Sequence, residues 1–356
     1  MQDLAVEIVI ANFNYGGYLA AAIESALAQS HPQVRTIVVD DGSTDQSREV
    51  LRAYEGRVEV VLKENGGQAS ALNAGLDRCQ GEVAMLLDSD DVLRPDAASR
   101  VAAAFASSPS LVKVQYRMDV IDSLGQPTGG IKPEPHMPLP QGDVHRAELS
   151  FPFDMTWMST SGNAFRLDAL RRVLPIPEED YRLGADWYLV HTTALLGPVE
   201  SLDQVSASYR VHGENRYEPQ APRVDLAHIR ESIRFAGATT ERLERLADDL
   251  AIDRPHPILS LADLSHRMVS LRLEPDRHPL PGDSRLGLVR FALRATRRRF
   301  DAAAPMKAMY AGWFMAMAVV PRPLAARLAE LFLFPARRRR LNRLLGRLNR
   351  GGTAPV

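Results

Sequence analysis

Val83-Ala84-Met85-Leu86-Leu87-Asp88-Ser89-Asp90-Asp91 is the stretch around which the chain is organised. Five consecutive apolar residues, Val83 to Leu87, bounded by charge read as a short strand buried on both faces. Three carboxylates within four positions follow at once, so the strand delivers negative charge to the rim of a sheet. Two like charges about 4 Å apart repel by roughly 4 kcal/mol at an effective dielectric of 20. A divalent cation with oxygen ligands removes that repulsion and adds a Lewis acid. For an isolated D-x-D-D, a solvated acidic turn capping the next helix is the simpler account, so the rest of the chain must decide.

Upstream, Val6-Glu7-Ile8-Val9-Ile10 predicts a first strand, left through Ala11-Asn12-Phe13-Asn14-Tyr15-Gly16-Gly17. Leu19, Ala22, Ile23, Ala26 and Leu27 carry the helical period of 18–29. Thr36-Ile37-Val38-Val39 predicts a second strand ending in Asp40-Asp41-Gly42-Ser43-Thr44-Asp45, with Ser43 or Thr44 available to cap a helix to Tyr54. A third strand, 58–62, leads through Asn65-Gly66-Gly67-Gln68 into a small-residue helix over 69–78. Pro95 begins a helix after the opening stretch. Strand and helix alternate in this way four times, the pattern of an α/β fold with a mostly parallel sheet sandwiched by helices. Ligands in such sheets bind beyond the carboxyl ends of the strands, where all four polar clusters fall.

The totals fit that picture. At 356 residues the chain suffices for one large or two ordinary domains, and its 45% apolar and 24% charged residues are those of a soluble globular protein. The lone Cys79 excludes an internal disulfide and fits a reducing, cytoplasmic compartment. No basic segment followed by an apolar one opens the chain, so no signal peptide is expected.

Further along, 111–121 predicts another strand. The five prolines and four glycines of 125–143 predict a loop without regular structure, mobile beside the site or a passive linker. Thr160-Ser161-Gly162-Asn163 follows, then a helix near 167–173. Leu183-Gly184-Ala185-Asp186-Trp187-Tyr188 opens a helix, and the strand 205–211 ends in His212-Gly213-Glu214-Asn215. Beyond about 224 the pattern is helical: a long amphipathic segment with a break expected at Gly237, then 259–273, an arginine-studded 286–300, an apolar 306–320 and a last Arg-rich helix. We therefore expect two parts, 1–223 and a helical 224–356.

If the rim holds a nucleotide-diphosphate sugar, Phe13 offers a ring for a base to stack on. Asp41 can then accept from a uracil-type N–H, Asp88 can hold ribose hydroxyls and Asp90 can ligate Mg2+ or Mn2+ bridging the pyrophosphate. Neither a G-x-G-x-x-G after the first strand nor a G-x-x-x-x-G-K-[ST] is present, so the Rossmann and P-loop routes to phosphate are unsupported. Asp186 could deprotonate an acceptor hydroxyl, worth about 100- to 10,000-fold in rate. As a first-turn residue it could equally serve only the helix dipole. His212 ends a strand and could reach a metal, or could be structural.

The order and spacing of these pieces resemble the inverting family-2 glycosyltransferases of the GT-A fold over roughly 1–215. The resemblance is carried by 8–14, by Val39-Asp40-Asp41-Gly42-Ser43-Thr44-Asp45, and by Asn65-Gly66-Gly67 with Ala71 and Asn73. Leu87-Asp88-Ser89-Asp90-Asp91, Gly184-Ala185-Asp186-Trp187 and Tyr209-Arg210-Val211-His212-Gly213 complete it. It implies a donor-nucleotide site drawn from Ala11, Asn12, Phe13, Asn14, Asp41, Gly66, Gly67, Asn73, Asp88, Ser89 and Asp90. It also implies Asp88 and Asp90 as the D-x-D holding donor and divalent cation, Asp186 as catalytic base, and His212 as a further donor or metal contact. Ser161, Gly162, Asn163 and Trp187 are expected on the acceptor side, with Asp91 doing no more than beginning the next helix. Ala11 and Phe13 stand where the family usually has Pro or Thr and Tyr, which touches base identity. A sugar-nucleotide pyrophosphorylase or a non-catalytic saccharide-binding relative are the rival readings. The former would carry basic residues in the loop after the first strand, and 12–17 has none.

The formal charge of −1 conceals a division. Residues 287–350 hold 14 Arg and one Lys against Asp301 and Glu330, a net of +13, leaving −14 for the rest. Such asymmetry predicts an anionic partner. The 15 residues of 306–320, nearly all apolar, are too few for a bilayer span of about 20 but suit its interface. The expectation is peripheral attachment to the inner face of the membrane, where lipid-linked saccharide acceptors are made, or else a homodimer through the Met-rich segment. Nucleic acid is not expected.

Overall fold

The computed structural model describes residues 4–213, 215 and 224–334. Its elements begin with β1 (Val6–Asn12), α1 (Gly16–Leu27), β2 (Val34–Asp41), α2 (Ser47–Arg52), β3 (Glu59–Lys63) and α3 (Gln68–Asp77). Then come β4 (Val83–Asp88), β5 (Val92–Leu93), α4 (Ala97–Ser107), β6 (Lys113–Ile121), β7 (Pro127–Lys132) and α5 (His145–Ser150). A 3-10 turn (Thr160–Gly162) precedes β8 (Asn163–Arg166), α6 (Leu167–Arg171), α7 (Ala185–Thr193) and β9 (Val199–Arg210). Five helices follow: α8 (Leu226–Asp249), α9 (Leu261–Leu273), α10 (Arg285–Arg298), α11 (Ala304–Val319) and α12 (Arg322–Leu333). Two compact units result, Met1–His145 with Thr156–Asn215, and Arg146–Met155 with Arg216–Val356.

The first unit is built on a sheet ordered β3-β2-β1-β4-β8-β6-β9-β5, with β7 beside β6. Its first four strands run parallel, as alternation with helices requires. In the second half β8 lies antiparallel to β4 and β6, while β6 and β9 are parallel, so the sheet is mixed. Val83 to Leu87 of β4 are all fully buried, because β1 and β8 flank the strand and apolar layers cover both faces. On one face Ile8, Ile10, Met85 and Leu87 pack with Leu19 and Ile23 of α1 and Val101 and Phe105 of α4. On the other, α3 lies so close that a Cβ on Gly75 would sit 2.4 Å from Val9 Cγ1. The register sets Asn12 beside Asp40 and Ala11 beside Asp88, which aligns the carboxyl ends of β1, β2 and β4.

Residues 125–143, expected to lack regular structure, contain β7, which pairs antiparallel with β6. The glycines and prolines do not prevent this because β7 pairs only with β6, on a free edge off the main strand order. Arg117 of β6, 7% exposed, fastens the following segment by donating to the carbonyls of Pro133, Glu134, Pro135 and Met137. Gly142 then bonds Val199 in both directions.

In the second unit α8 runs unbroken through Gly237, since a single glycine costs a helix only about 1 kcal/mol. Asp154 explains why Arg146–Met155 folds with the helices. Its carboxylate accepts from Leu261 N, Ala262 N and Ser260 Oγ, capping α9, and pairs with Arg299 at 3.1 Å. Leu264, Met268 and Val269 of α9 form a core with Leu288 and Ala292 of α10, Phe314 and Met317 of α11 and Ala325 of α12. No helix among the described residues is long and apolar enough to cross a membrane. Most of the expected last Arg-rich helix, from 335 on, lies outside the described residues.

Arg117→Leu is expected to lower stability by about 2–3 kcal/mol, as four carbonyls lose a charged donor held by the buried Arg117. Chemical denaturation measures this, and limited proteolysis should cut first within 125–143.

Candidate active site

The β1–α1 and β2–α2 loops brace each other at the rim. Asn12 Nδ2 donates to Asp40 Oδ1 at 3.0 Å and Ser43 Oγ at 3.2 Å, and Asn14 Oδ1 accepts from Thr44 N at 2.8 Å. Asn14 adopts φ +59, a left-handed conformation that asparagine tolerates. This frame leaves the side chain of Phe13 exposed (44%) at the rim. Ala11 lies inside the β1 ladder opposite Asp88, so its contribution is backbone position.

Asp41, nearly fully buried, organises the β3–α3 loop. Its Oδ1 accepts from Lys63 Nζ at 2.7 Å and Gly66 N at 2.9 Å, and its Oδ2 from Gly67 N at 2.7 Å. The two glycines named from the sequence thus hold this carboxylate through their backbone amides. Gly67 is at φ +92, and a Cβ there would lie 2.4 Å from Arg182 O, so no other residue fits without a shift. A cavity of about 480 Å³ opens beside this loop, lined by Gly42, Arg48, Leu62, Lys63, Glu64 and Asn65. Asn73 does not join the rim. Its amide donates to Ile176 O and accepts from Ile176 N, so it anchors the segment before α7.

The acids after β4 are held from several directions. Asp88 N donates to Ser161 Oγ at 2.9 Å, and Asp88 Oδ1 accepts from Gln68 Nε2 at 3.3 Å. Asp90 Oδ2 meets His212 Nε2 at 3.0 Å, and the His212 ring stacks on Tyr18 with centroids 4.9 Å apart. Ser89 is buried in the turn between them. Asp91 begins no helix. It is 1% exposed and accepts from Arg210 N at 2.9 Å, tying the turn to β9. Burial, then the neighbouring Asp90, pushes its carboxyl up to about 8. Asp88 is driven well above the usual carboxylate range, first by burial and then by Asp90, Asp91 and Asp186.

Asp186, in the first turn of α7, is brought to these acids by the 3-10 turn. Its Oδ2 accepts from Thr160 N at 3.0 Å and its Oδ1 from Trp187 N at 2.9 Å, while burial raises its pKa. Gln68 completes the link. Its Nε2 reaches both Asp88 and Thr160 Oγ1 (3.1 Å), and its Oε1 accepts from Gly184 N and Ala185 N, the start of α7. The residues expected on the acceptor side are mostly not surface groups. Ser161 and Asn163 are fully buried; Asn163 Nδ2 donates to Met158 O and Ser159 O, and Gly162 packs beneath the Met158 side chain. Trp187 alone of the four is partly exposed, its ring edge-on to His191.

Gln68 and Thr160 were within stretches singled out from the sequence, but nothing local distinguishes them. The signal available was a polar residue in the first turn of a rim helix. Among the described residues no three His, Cys, Asp or Glu side chains are grouped to hold an ion unaided. The donor set nevertheless fits Mg2+ or Mn2+. Asp88 and Asp90 present hard oxygens that repel each other, no lysine or arginine among the described residues forms an ion pair with either carboxylate, and Mg2+ commonly takes one or two carboxylates with substrate phosphate completing its shell.

A sheet of this topology with an acidic rim defines a GT-A-type transferase fold. The family model for glycosyl transferase family 2 matches residues 7–162. An uncharacterized glycosyltransferase of Nostoc sp. is 34% identical over 218 residues, 60% of this chain and 67% of that protein. TuaG of Bacillus subtilis, named for teichuronic acid biosynthesis, is 42% identical over 95 residues, 26% of this chain and 38% of its own length. The structure of S. aureus TarS in complex with UDP superposes with a TM-score of 0.54 at 14% identity, covering 92% of this chain and 91% of that one. The chain belongs to the family-2 glycosyltransferases.

Gln68→Ala is expected to lower kcat about tenfold to a hundredfold with the donor KM little changed, because Asp186 and Asp88 lose their common brace. Steady-state kinetics checks this; a change confined to KM would make Gln68 a donor contact instead.

Proposed function

We propose that the protein is an inverting transferase that moves a sugar from a UDP-linked donor to a hydroxyl of a saccharide or lipid-linked acceptor in cell-surface polysaccharide synthesis. The observation that carries this reading is the link from Asp186 through Thr160 and Gln68 to Asp88. It supports a base and a donor site facing one reaction. TarS, whose structures are in complex with UDP and with UDP-GlcNAc, and TuaG support the donor nucleotide and the setting.

In this reading Phe13 stacks on the base, and Asp41, fixed by Lys63 and two backbone amides, accepts from its N–H. The backbone around Asn12, Asn14, Gly66 and Gly67 shapes the nucleotide pocket, and Asp88 and Ser89 lie toward the ribose and diphosphate. Asp88 and Asp90, with His212 holding Asp90, are the groups that would bind Mg2+ or Mn2+, which when bound supplies Lewis-acid stabilisation to the departing diphosphate. Asp186 accepts the proton of the acceptor hydroxyl. That oxygen forms the new bond to the anomeric carbon, the anomeric C–O bond to the diphosphate breaks, and nucleoside diphosphate leaves with the electron pair. A single displacement inverts the configuration. The burial that raises the Asp186 pKa makes it a stronger base. Trp187 offers an aromatic face beside it for the acceptor. The protein would work at the inner face of the membrane when its acceptor is lipid-linked.

Asp186→Asn is expected to cut transfer by about 100- to 10,000-fold while donor binding by calorimetry stays near wild type. Equal loss of both would count against the base assignment. In the wild type, the rate should fall as pH drops through the raised pKa of Asp186, since only the ionised form accepts a proton. Asp90→Ala is expected to remove activity and the response to added Mg2+ or Mn2+ together; an unaltered metal titration would refute its role. Donor hydrolysis across UDP-, GDP- and dTDP-sugars tests the nucleotide, and no turnover of any would favour a non-catalytic saccharide-binding protein.

A further inference from the structure

The helical unit buries one side of each of its last three described helices and exposes a patterned other side. In α10, Leu288, Ala292 and Ala295 face the core. Leu286 (70% exposed), Arg290, Arg294 and Arg297 line the outer face at helical spacing, with an exposed Phe291 beside them. In α11, Phe314 and Met317 face inward, and the exposed line is Ala308, Gly312, Met315 and Val319, the last 80% exposed. That helix has one charged residue, Lys307, in its 16. In α12 the exposed line is Leu324, Arg327 and Leu331, opposite the buried Ala325 and Ala329.

Water gives no reason to expose a helix face without a polar side chain, and large exposed apolar surface marks an interaction site. Spanning a bilayer is excluded for α11, because its 16 residues rise about 24 Å against a hydrocarbon core of about 30 Å. The combination of apolar residues with arginines on outer helix faces is that of elements lying in the headgroup region. A symmetric second copy is disfavoured by charge. An isologous contact would set residues 287–334, with seven Arg and one Lys against Asp301 and Glu330, against themselves, whereas an anionic lipid surface attracts them. We propose that the outer faces of α10, α11 and α12 are a docking surface for a membrane containing anionic phospholipid. The assignment is independent of the transfer chemistry, since none of these residues belongs to the active site.

The test is sedimentation of the full chain with vesicles of phosphatidylglycerol and phosphatidylcholine, and with phosphatidylcholine alone. Binding is expected to the first and not the second, and to weaken as salt is raised. Arg290→Gln with Arg297→Gln is expected to weaken it about thirtyfold, and Met315→Glu with Val319→Glu by at least about tenfold, from the loss of buried apolar area and the added charge. Donor hydrolysis in solution should be unchanged in both variants, which also shows that they fold. Equal binding to both vesicles, or binding indifferent to both variants, would overturn the proposal. So would light scattering that showed a dimer abolished by Met315→Glu with Val319→Glu, or duplex DNA binding, if vesicle binding were absent.

Discussion

Repulsion among Asp88, Asp90, Asp91 and Asp186 is the constraint on which the active site depends. The fold gathers these carboxylates and removes water from around them, and the raised pKa of Asp88 records the strain. They are held mainly by neutral donors: Gln68 and the amides of Thr160, Trp187 and Arg210. The guanidinium of Arg210 spends its hydrogen bonds on the carbonyls of Asp90, Asp122 and Ser123, and lies over the ring of Tyr18. Lys63 is committed to Asp41. Neutral bracing fixes geometry without cancelling charge, which leaves the rim able to attract a cation and a cation-bearing diphosphate.

Division of labour follows from that geometry. Asp41 is held by Lys63 and two amides, with Oδ2 accepting only from Gly67 N, so it is a rigid acceptor, while Asp88 and Asp90 are braced by Gln68 and His212. Asp186 is tied to the same frame by one residue, Thr160, which contacts both sides of the site. The proposed transfer needs base and leaving-group site in fixed register, because misplacement by about 1 Å can cost about a hundredfold in rate. The 3-10 turn and Gln68 supply that register.

The helical unit obeys a different logic. Its core is apolar and ordinary, with Asp154 fastening a segment taken from the middle of the chain onto the start of α9. What distinguishes it is the surface it leaves outside, arginine-rich on α10 and nearly uncharged on α11. The charge asymmetry of the sequence thereby acquires a place.

Local pattern alone determined the strand at Val83–Leu87, the alternation around it, the rim on which Asn12, Asp41, Gly66 and Asp88 would fall, and the helical character beyond 224. Periodicity records whether a residue faces core or water, and those features are local. Only tertiary structure decided which side chains meet. Asp88 bonds Ser161 73 positions away, Asp91 bonds Arg210 119 away and Asp90 meets His212 122 away. Such pairings depend on strand order and register, which no single stretch carries. The same reason explains the misjudged residues. Pro- and Gly-rich 125–143 became partly a strand because β6 offered an edge, Asn73 turned to Ile176, and Asp91 was drawn to β9. Val83–Asp91 announced that a charged rim existed; α3, α7, the 3-10 turn and β9 decided what each acid touches there.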